Sequence, residues 1–341
     1  MLKDRNWIVA WLVTGAFMVA GMVIIGGITR LTHSGLSMTD WKLIMGMIPP
    51  MNEMEWNKAF EQYKQFPEFQ RVNSHYTVED FKSIFFWEWF HRFLGRIIGM
   101  VFIFPFIVFL IRKSFSRKLI IQSSILLGLG AVQGFLGWFM VKSGLIDRPS
   151  VSHYRLAIHL CAAFGTFSYI LWVLLSHLQP ERSVSKSAST TLISRITLLL
   201  VIVQIVFGAF VAGLKAGYVF PTFPKMGADW MPTIIGQRIS ESGLGTLFNE
   251  IISVQFVHRT FAYLVAGFVI YLWYSGRRSA NANQLRGLNL TMILVLLQFT
   301  LGVLTILYGV PISIAVAHQF GALGLLSASV YTVYQYPIKV K

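Results

Sequence analysis

The sequence predicts an all-α integral membrane protein with eight transmembrane helices, arranged as two pseudo-twofold-related four-helix bundles. Three observations predict it. The 341 residues are 55% apolar and only 13% charged, with a mean hydropathy of +0.61, far outside the range of a soluble domain. Eight apolar runs are each long enough to cross about 30 Å of hydrocarbon at about 1.5 Å per residue. The chain also resembles itself at a spacing of about 165 residues.

The runs lie near residues 7 to 28, 88 to 111, 119 to 141, 154 to 176, 192 to 213, 253 to 275, 288 to 308 and 312 to 334. The first has no small-residue cleavage site before the Thr29-Arg30 stretch, so it reads as a retained span rather than a cleaved signal. Two long extracytoplasmic loops interrupt the series, at 29 to 87 and 214 to 252. Within the first, Trp56, Phe60 and Tyr63 recur at helical spacing between charged residues, which predicts a helix lying on the membrane surface. The organisation expected is an N-terminal four-helix half over 1 to 180 and a C-terminal four-helix half over 190 to 341.

Charge sets the orientation, because short loops rich in Lys and Arg stay in the cytoplasm. Lys3, Arg5, Arg112, Lys113, Arg117, Lys118, Arg182, Lys186, Arg195, Arg277, Arg278, Arg286, Lys339 and Lys341 all fall on one predicted face. Those are fourteen of the 29 basic residues, accompanied there only by Asp4 and Glu181 of the 14 acidic ones. That face carries +12 of the net +15. The excess charge therefore reports topology and contact with anionic lipid, not nucleic-acid binding. The expected setting is the cell inner membrane, multi-pass, with both termini cytoplasmic. The single cysteine, Cys161, can form no intramolecular disulfide and reads as a packing residue.

The internal repeat organises the polar residues. Gln255-Phe-Val-His258-Arg259 repeats the aromatic stretch from Glu88 to His91-Arg92, and Gln298 and Gly302 repeat Gln133 and Gly137. The short outer turn before His159 is matched by the one before His318. Four spans per copy give both copies the same orientation, related by an axis along the membrane normal.

Four histidines, His91, His159, His258 and His318, lie on the second, fourth, sixth and eighth runs, about one or two turns in from the same side. Ionisable side chains in membrane spans generally face the bundle interior and carry function. A single such histidine is as readily a packed, hydrogen-bonded residue; four in register with a repeat are not. Zinc and copper sites gather three or four ligands, often including cysteine or carboxylate, and no such cluster accompanies these histidines. Two imidazoles per half suit an iron porphyrin, which brings its own equatorial nitrogens. Arg30, Arg92 and Arg259 stand where porphyrin propionates need partners, although arginines there also snorkel to the lipid interface.

Haems stacked across the bilayer would put two histidines on one helix, at opposite depths. Only His159 and His177 share a helix in that way, and His177 reads as interfacial. Both iron sites are therefore expected near the outer leaflet, side by side. The halves are not equivalent: Glu88 in the first is matched by Gln255 in the second, three residues before the first histidine of each. A carboxylate shuttles protons where an amide cannot, which points to the first half as reactive. The alternative for Glu88 is an ordinary acid at a helix N-terminus.

Longer motifs surround these residues: Gly26-Gly-Ile-Thr-Arg-Leu-Thr-His-Ser-Gly-Leu-Ser-Met-Thr-Asp-Trp41, Gly46-Met-Ile-Pro-Pro50, Glu88-Trp-Phe-His-Arg92, Val151-Ser-His-Tyr-Arg-Leu-Ala-Ile-His159, Ala212-Gly-Leu-Lys-Ala-Gly217 and Thr222-Phe-Pro-Lys-Met226. Together they resemble the haem A synthases over nearly the whole chain. The resemblance implies conversion of haem O to haem A by two successive hydroxylations of the C8 methyl. It implies His91 and His159 as ligands flanking the substrate haem, His258 and His318 as ligands of a retained haem b, and Glu88 as the catalytic acid or base. Some bacterial members carry paired cysteines in the outer loops. This chain has none there and is similar to the cysteine-free group that includes the mitochondrial-type enzymes. The partners implied are haem O synthase (protohaem farnesyltransferase) and an unidentified electron-transfer protein, and a homo-oligomer is compatible with the resemblance. Two histidines on the substrate iron would block oxygen, so either one ligand dissociates or the substrate is oxidised by electron removal and water attack. A different class remains open: a diheme b-type membrane cytochrome that passes electrons without modifying either haem. A weaker third alternative is a haem transporter, which gives no reason for Glu88 beside one site only.

Overall fold

The computed structural model describes residues 4–39, 45–144, 150–179 and 187–337. Lys3, Asp40, Trp41, Glu181, Arg182, Lys186, Lys339 and Lys341, used above for topology and motif, lie outside the described residues. The helices are α1 (Arg5–Leu31), α2 (Glu53–Tyr63), α3 (Pro67–Arg71), α4 (Val78–Ile111), α5 (Arg117–Gly144), α6 (His153–Leu178), α7 (Ala188–Gly213), α8 (Thr233–Ser242), α9 (Thr246–Asn249), α10 (Ile251–Gly276), α11 (Ala282–Leu307) and α12 (Ile312–Gln335). Among the described residues eight of these, α1, α4 to α7 and α10 to α12, are long and apolar enough to cross a membrane. Large apolar side chains such as Phe17, Ile111 and Ile293 are exposed along them, as lipid-facing positions require. The protein is an all-α, multi-pass membrane protein.

The second span starts earlier than hydropathy indicates. The stretch from Val78 to Ser83 is too polar to count as membrane, but a capping box begins the helix at Thr77, whose hydroxyl accepts the Asp80 amide while the Asp80 carboxylate accepts the Thr77 amide. Glu88 consequently stands in the third turn of α4, where the pull of the helix dipole has faded. It is not a helix-terminus acid. Counted from its helix start, His91 lies about four turns in, whereas His159, His258 and His318 lie about two turns into theirs; the extra turns belong to the stretch of α4 that precedes the apolar run.

The chain divides into two compact units between Ile170 and Leu171. In the first, α1 packs antiparallel on α4. At one end Asp4 pairs with Arg112 at 3.3 Å and bonds to Ser114. Midway, Pro105 interrupts α4 and supplies no N–H for the Val101 carbonyl. The Trp11 indole on α1 donates to that carbonyl instead, at 3.2 Å. At the opposite end α2 uses its apolar edge against α4: Trp56, Phe60 and Tyr63 contact Phe81, and Trp56 also meets Phe85. The periodicity that predicts a surface-lying helix is therefore spent on a protein contact. Tyr63 is fully buried there, between the Glu68 carboxylate and the Asn73 amide, and burial first, then Glu68, pushes its phenol pKa up.

In the second unit α7 packs on α10 and α12, and α11 on α10 and α12. Gly287 sets the closest approach, since a Cβ there would stand 3.2 Å from the Thr332 backbone. Small residues let membrane helices meet at this distance. Thr291 and Thr332 share a hydrogen bond of 3.0 Å beside it, and Arg195 on α7 donates to the Tyr336 carbonyl.

Candidate haem sites

Each of the four histidines sits against a glycine on a neighbouring helix. A Cβ at Gly26 on α1 would lie 3.2 Å from Cε1 of His91 on α4, and one at Gly137 on α5 would lie 3.2 Å from Cε1 of His159 on α6. In the second unit the distances are 3.1 Å from Gly208 on α7 to His258 on α10, and 2.9 Å from Gly302 on α11 to His318 on α12. Any side chain at these glycines would push the ring. Each imidazole therefore occupies space that only glycine leaves open.

Three of the four histidine-bearing helices are also gripped at the histidine backbone. Gln133, one turn before Gly137, donates to the His159 carbonyl at 3.0 Å; Gln204, one turn before Gly208, donates to the His258 carbonyl at 3.0 Å; Gln298, one turn before Gly302, donates to the His318 carbonyl at 2.9 Å. Ring and backbone are thus held by one neighbouring helix at two points a turn apart.

The donor set fits a haem. His91 is within electrostatic reach of His159, and His258 of His318. The Nδ1 atom of all four rings is buried without a hydrogen-bond partner, so no protein group has claimed that nitrogen. Among the described residues no group of three or more His, Cys, Asp or Glu could hold a metal ion by itself. Two imidazoles per half, with nothing else to complete a coordination sphere, match a metal that arrives with four equatorial nitrogens.

Outside the histidines the units diverge. Glu88, 3% exposed, accepts hydrogen bonds at one oxygen from the Ser37 hydroxyl and the Met38 amide, both at 2.7 Å. Its other oxygen pairs with Arg92 at 2.6 Å, and Arg92 also donates to the Met38 carbonyl. The carboxylate is thus fastened at both oxygens, by two neutral donors and a guanidinium. In the second unit Gln255, 1% exposed, donates to the Phe220 carbonyl at 3.3 Å. One turn on, Arg259 donates to the carbonyls of Thr222, Pro224 and Lys225, while its Nη1 is buried without a partner. Arg30 lies in the last turn of α1.

A model of the cytochrome oxidase assembly protein family, COX15-CtaA, matches residues 9–330. The chain is 49% identical to a heme A synthase of Flavobacterium psychrophilum over 342 residues, 98% of this chain and 99% of that one. It is 45% identical to the heme A synthase of Flavobacterium johnsoniae, with the same coverage, and 40% identical to that of Nitrosospira multiformis over 96% of this chain and 93% of the relative. The chain belongs to the haem A synthase family.

The repeat that pairs Gln133 and Gly137 with Gln298 and Gly302 thus marks the parts that grip the histidines of a haem A synthase family member. Gly26, Gly208 and Gln204 do the same work and escape the repeat comparison. For the second unit the signal is the spacing Gln-x-x-x-Gly, which occurs at 133, 204 and 298, each time on the membrane-spanning helix before one that bears a histidine. Ser37 also escapes, because a hydroxyl in a loop carries no mark of the carboxylate it will meet.

Proposed function

We propose that this protein converts haem O to haem A, oxidising the porphyrin C8 methyl twice to a geminal diol that loses water and leaves a formyl group. His91 and His159 flank the substrate haem. His258 and His318 hold a haem b, which when bound supplies a relay for single electrons.

The observation that carries this division of roles is Glu88 set against Gln255. Where the methyl is oxidised by electron removal and water attack, each two-electron step sends its electrons to the electron-transfer partner and releases two protons, for which a proton acceptor nearby is needed. Glu88 lies three residues from His91 on one helix face and is held by Arg92, Ser37 and Met38. It takes the proton released at the substrate and passes it outward through the Ser37 hydroxyl. Gln255, at the matching position, cannot titrate. The second site therefore lacks the group that oxidation needs and is suited to a haem that stays unchanged.

Arg30, Arg92 and Arg259 are the propionate partners in this reading. The unpartnered Nη1 of Arg259 supports it for haem b, whereas Arg92 acts first through Glu88. A farnesylated haem enters from the lipid phase, handed over by the enzyme that farnesylates protohaem, and an electron-transfer partner completes the cycle. Both termini face the cytoplasm of a cell whose inner membrane holds the protein.

Reversed-phase chromatography of pigments extracted from the purified protein, co-expressed with a haem O source, tests the proposal. Haem A or its hydroxymethyl precursor beside haem b is expected. Two unmodified b haems would make the protein an electron-carrying diheme cytochrome instead.

A further inference from the structure

Among the described residues the grip on the histidine backbone is present at three of the four histidines and absent at the fourth. In the frame that places Gln133, Gln204 and Gln298 one turn before a glycine, the residue one turn before Gly26 is Met22. Among the described residues no side chain donates to the His91 carbonyl. Met22 instead directs its methyl toward Gly95, one turn beyond His91, where a Cβ would stand 3.4 Å away. The corresponding residues in the other three ligand helices are Ala163, Ala262 and Ala322. A thioether over a glycine is a contact that slides; an amide on a carbonyl is one that does not.

The amide grip is also not a neutral packing choice. Oε1 of Gln133, of Gln204 and of Gln298 is buried without a partner. A half-satisfied buried amide is costly, and in the interior of a membrane protein it persists only where its one bond has a use. A second feature separates α4 from the other ligand helices. Pro105 lies inside it, and no proline lies inside α6, α10 or α12. An interior proline removes a rung of the helix ladder and is where membrane helices bend.

Anchors on α4 lie to either side of His91. Outward, Thr29 donates to the Trp87 carbonyl at 3.3 Å and Glu88 holds Ser37 and Met38. Inward, Trp11 holds Val101. His91 itself has only the glycine cradle.

We infer that His91, and not His159, is the axial ligand that leaves the substrate iron during turnover, with Met22 and Pro105 as the positioning residues that permit it. This rests on the proposal that His91 and His159 ligate haem O. The step breaks one iron–nitrogen bond, the electron pair staying on the imidazole, and changes no oxidation state. It opens one coordination position on the face of the porphyrin that also meets Glu88. His159, gripped by Gln133, keeps the haem in place while that position is open. Haem b, gripped on both sides, stays closed.

The test uses the purified protein with its haem b, titrated with haem O, reduced with dithionite and mixed with carbon monoxide in a stopped-flow instrument. Carbon monoxide should bind the haem O iron at a rate set by ligand departure, and should not bind haem b on the same timescale. Met22→Gln supplies the missing grip and should slow binding about three- to tenfold, the effect of one added hydrogen bond. Pro105→Ala, which restores the helix rung, should slow it as well and decides the matter if Met22→Gln misfolds. An unaltered low-spin haem b spectrum reports that either variant has folded. Rates equal to the parent in the folded variants, or faster binding at haem b than at haem O, overturn the inference while leaving the functional reading intact. Haem O that gives no bis-imidazole spectrum, or one that His91→Ala does not change, removes both.

Discussion

In the second half of the chain Arg259 gathers the carbonyls of Thr222, Pro224 and Lys225, and Gln255 reaches Phe220. In the first half Arg92 spends the same reach on Glu88 and the Met38 carbonyl, and Glu88 in turn holds Ser37 and Met38. Both arrangements fasten an outer loop to the helix that bears a histidine. The second half of the chain does so with neutral acceptors alone. A buried ion pair is a costly way to fasten a loop, because two charges must be taken out of water for a job that carbonyls perform. The charge at Glu88 is thus more than loop fastening needs, and the proposed role as proton acceptor gives that surplus a use.

The comparison breaks most visibly at the iron ligands. His258→Ala or His318→Ala should abolish the tightly held haem b, since one imidazole remains in a site shaped for two; optical spectra of the purified variants show it directly. A normal low-spin haem b spectrum in either variant would assign the cofactor to the wrong half. Next in size is Glu88→Gln, which makes the first half like the second. Folding and haem b content should persist, while haem A falls to a few per cent of the parent or less, as expected for a lost general base. Product analysis by chromatography decides, and normal haem A output would return Glu88 to a loop-fastening role.

A smaller effect is expected from the cradles. Gly302→Ala places a methyl 2.9 Å from the His318 ring and should weaken haem b retention by about 1 to 3 kcal/mol, the usual range for overpacking. Gly15→Ala, with open space at its Cβ, should leave retention unchanged. Gln204→Leu is expected to cost least, about 1 kcal/mol for one hydrogen bond, read as haem b loss in denaturant titrations.

The spans and the four histidines were legible because hydropathy and ionisable residues inside apolar runs are physical signals visible one residue at a time. The start of α4 was not. Val78 to Ser83 projects beyond the apolar run, and there a capping box rather than burial decides where the helix begins. The partners of Arg92 and Arg259 were hidden for another reason. Both arginines bond to loop carbonyls, and backbone acceptors leave no trace in sequence. The helix at Trp56, Phe60 and Tyr63 was legible as a helix, but its partner was not, since an apolar edge fits lipid and the aromatic end of α4 equally well.

The glycine cradles also fix an order of assembly. Gly137 and His159 belong to consecutive helices, as do Gly302 and His318, so each of those contacts closes within one hairpin. Gly26 must wait for α4 to arrive past the outer helices α2 and α3, and Gly208 for α10 past α8 and α9. During synthesis His91 and His159 emerge before His258, and His318 comes last of the four. On the proposed division of roles, the substrate site would therefore have both its histidines while the haem b site still lacked one, and a haem O captured at that stage would wait, chemically inert, until α12 is in place.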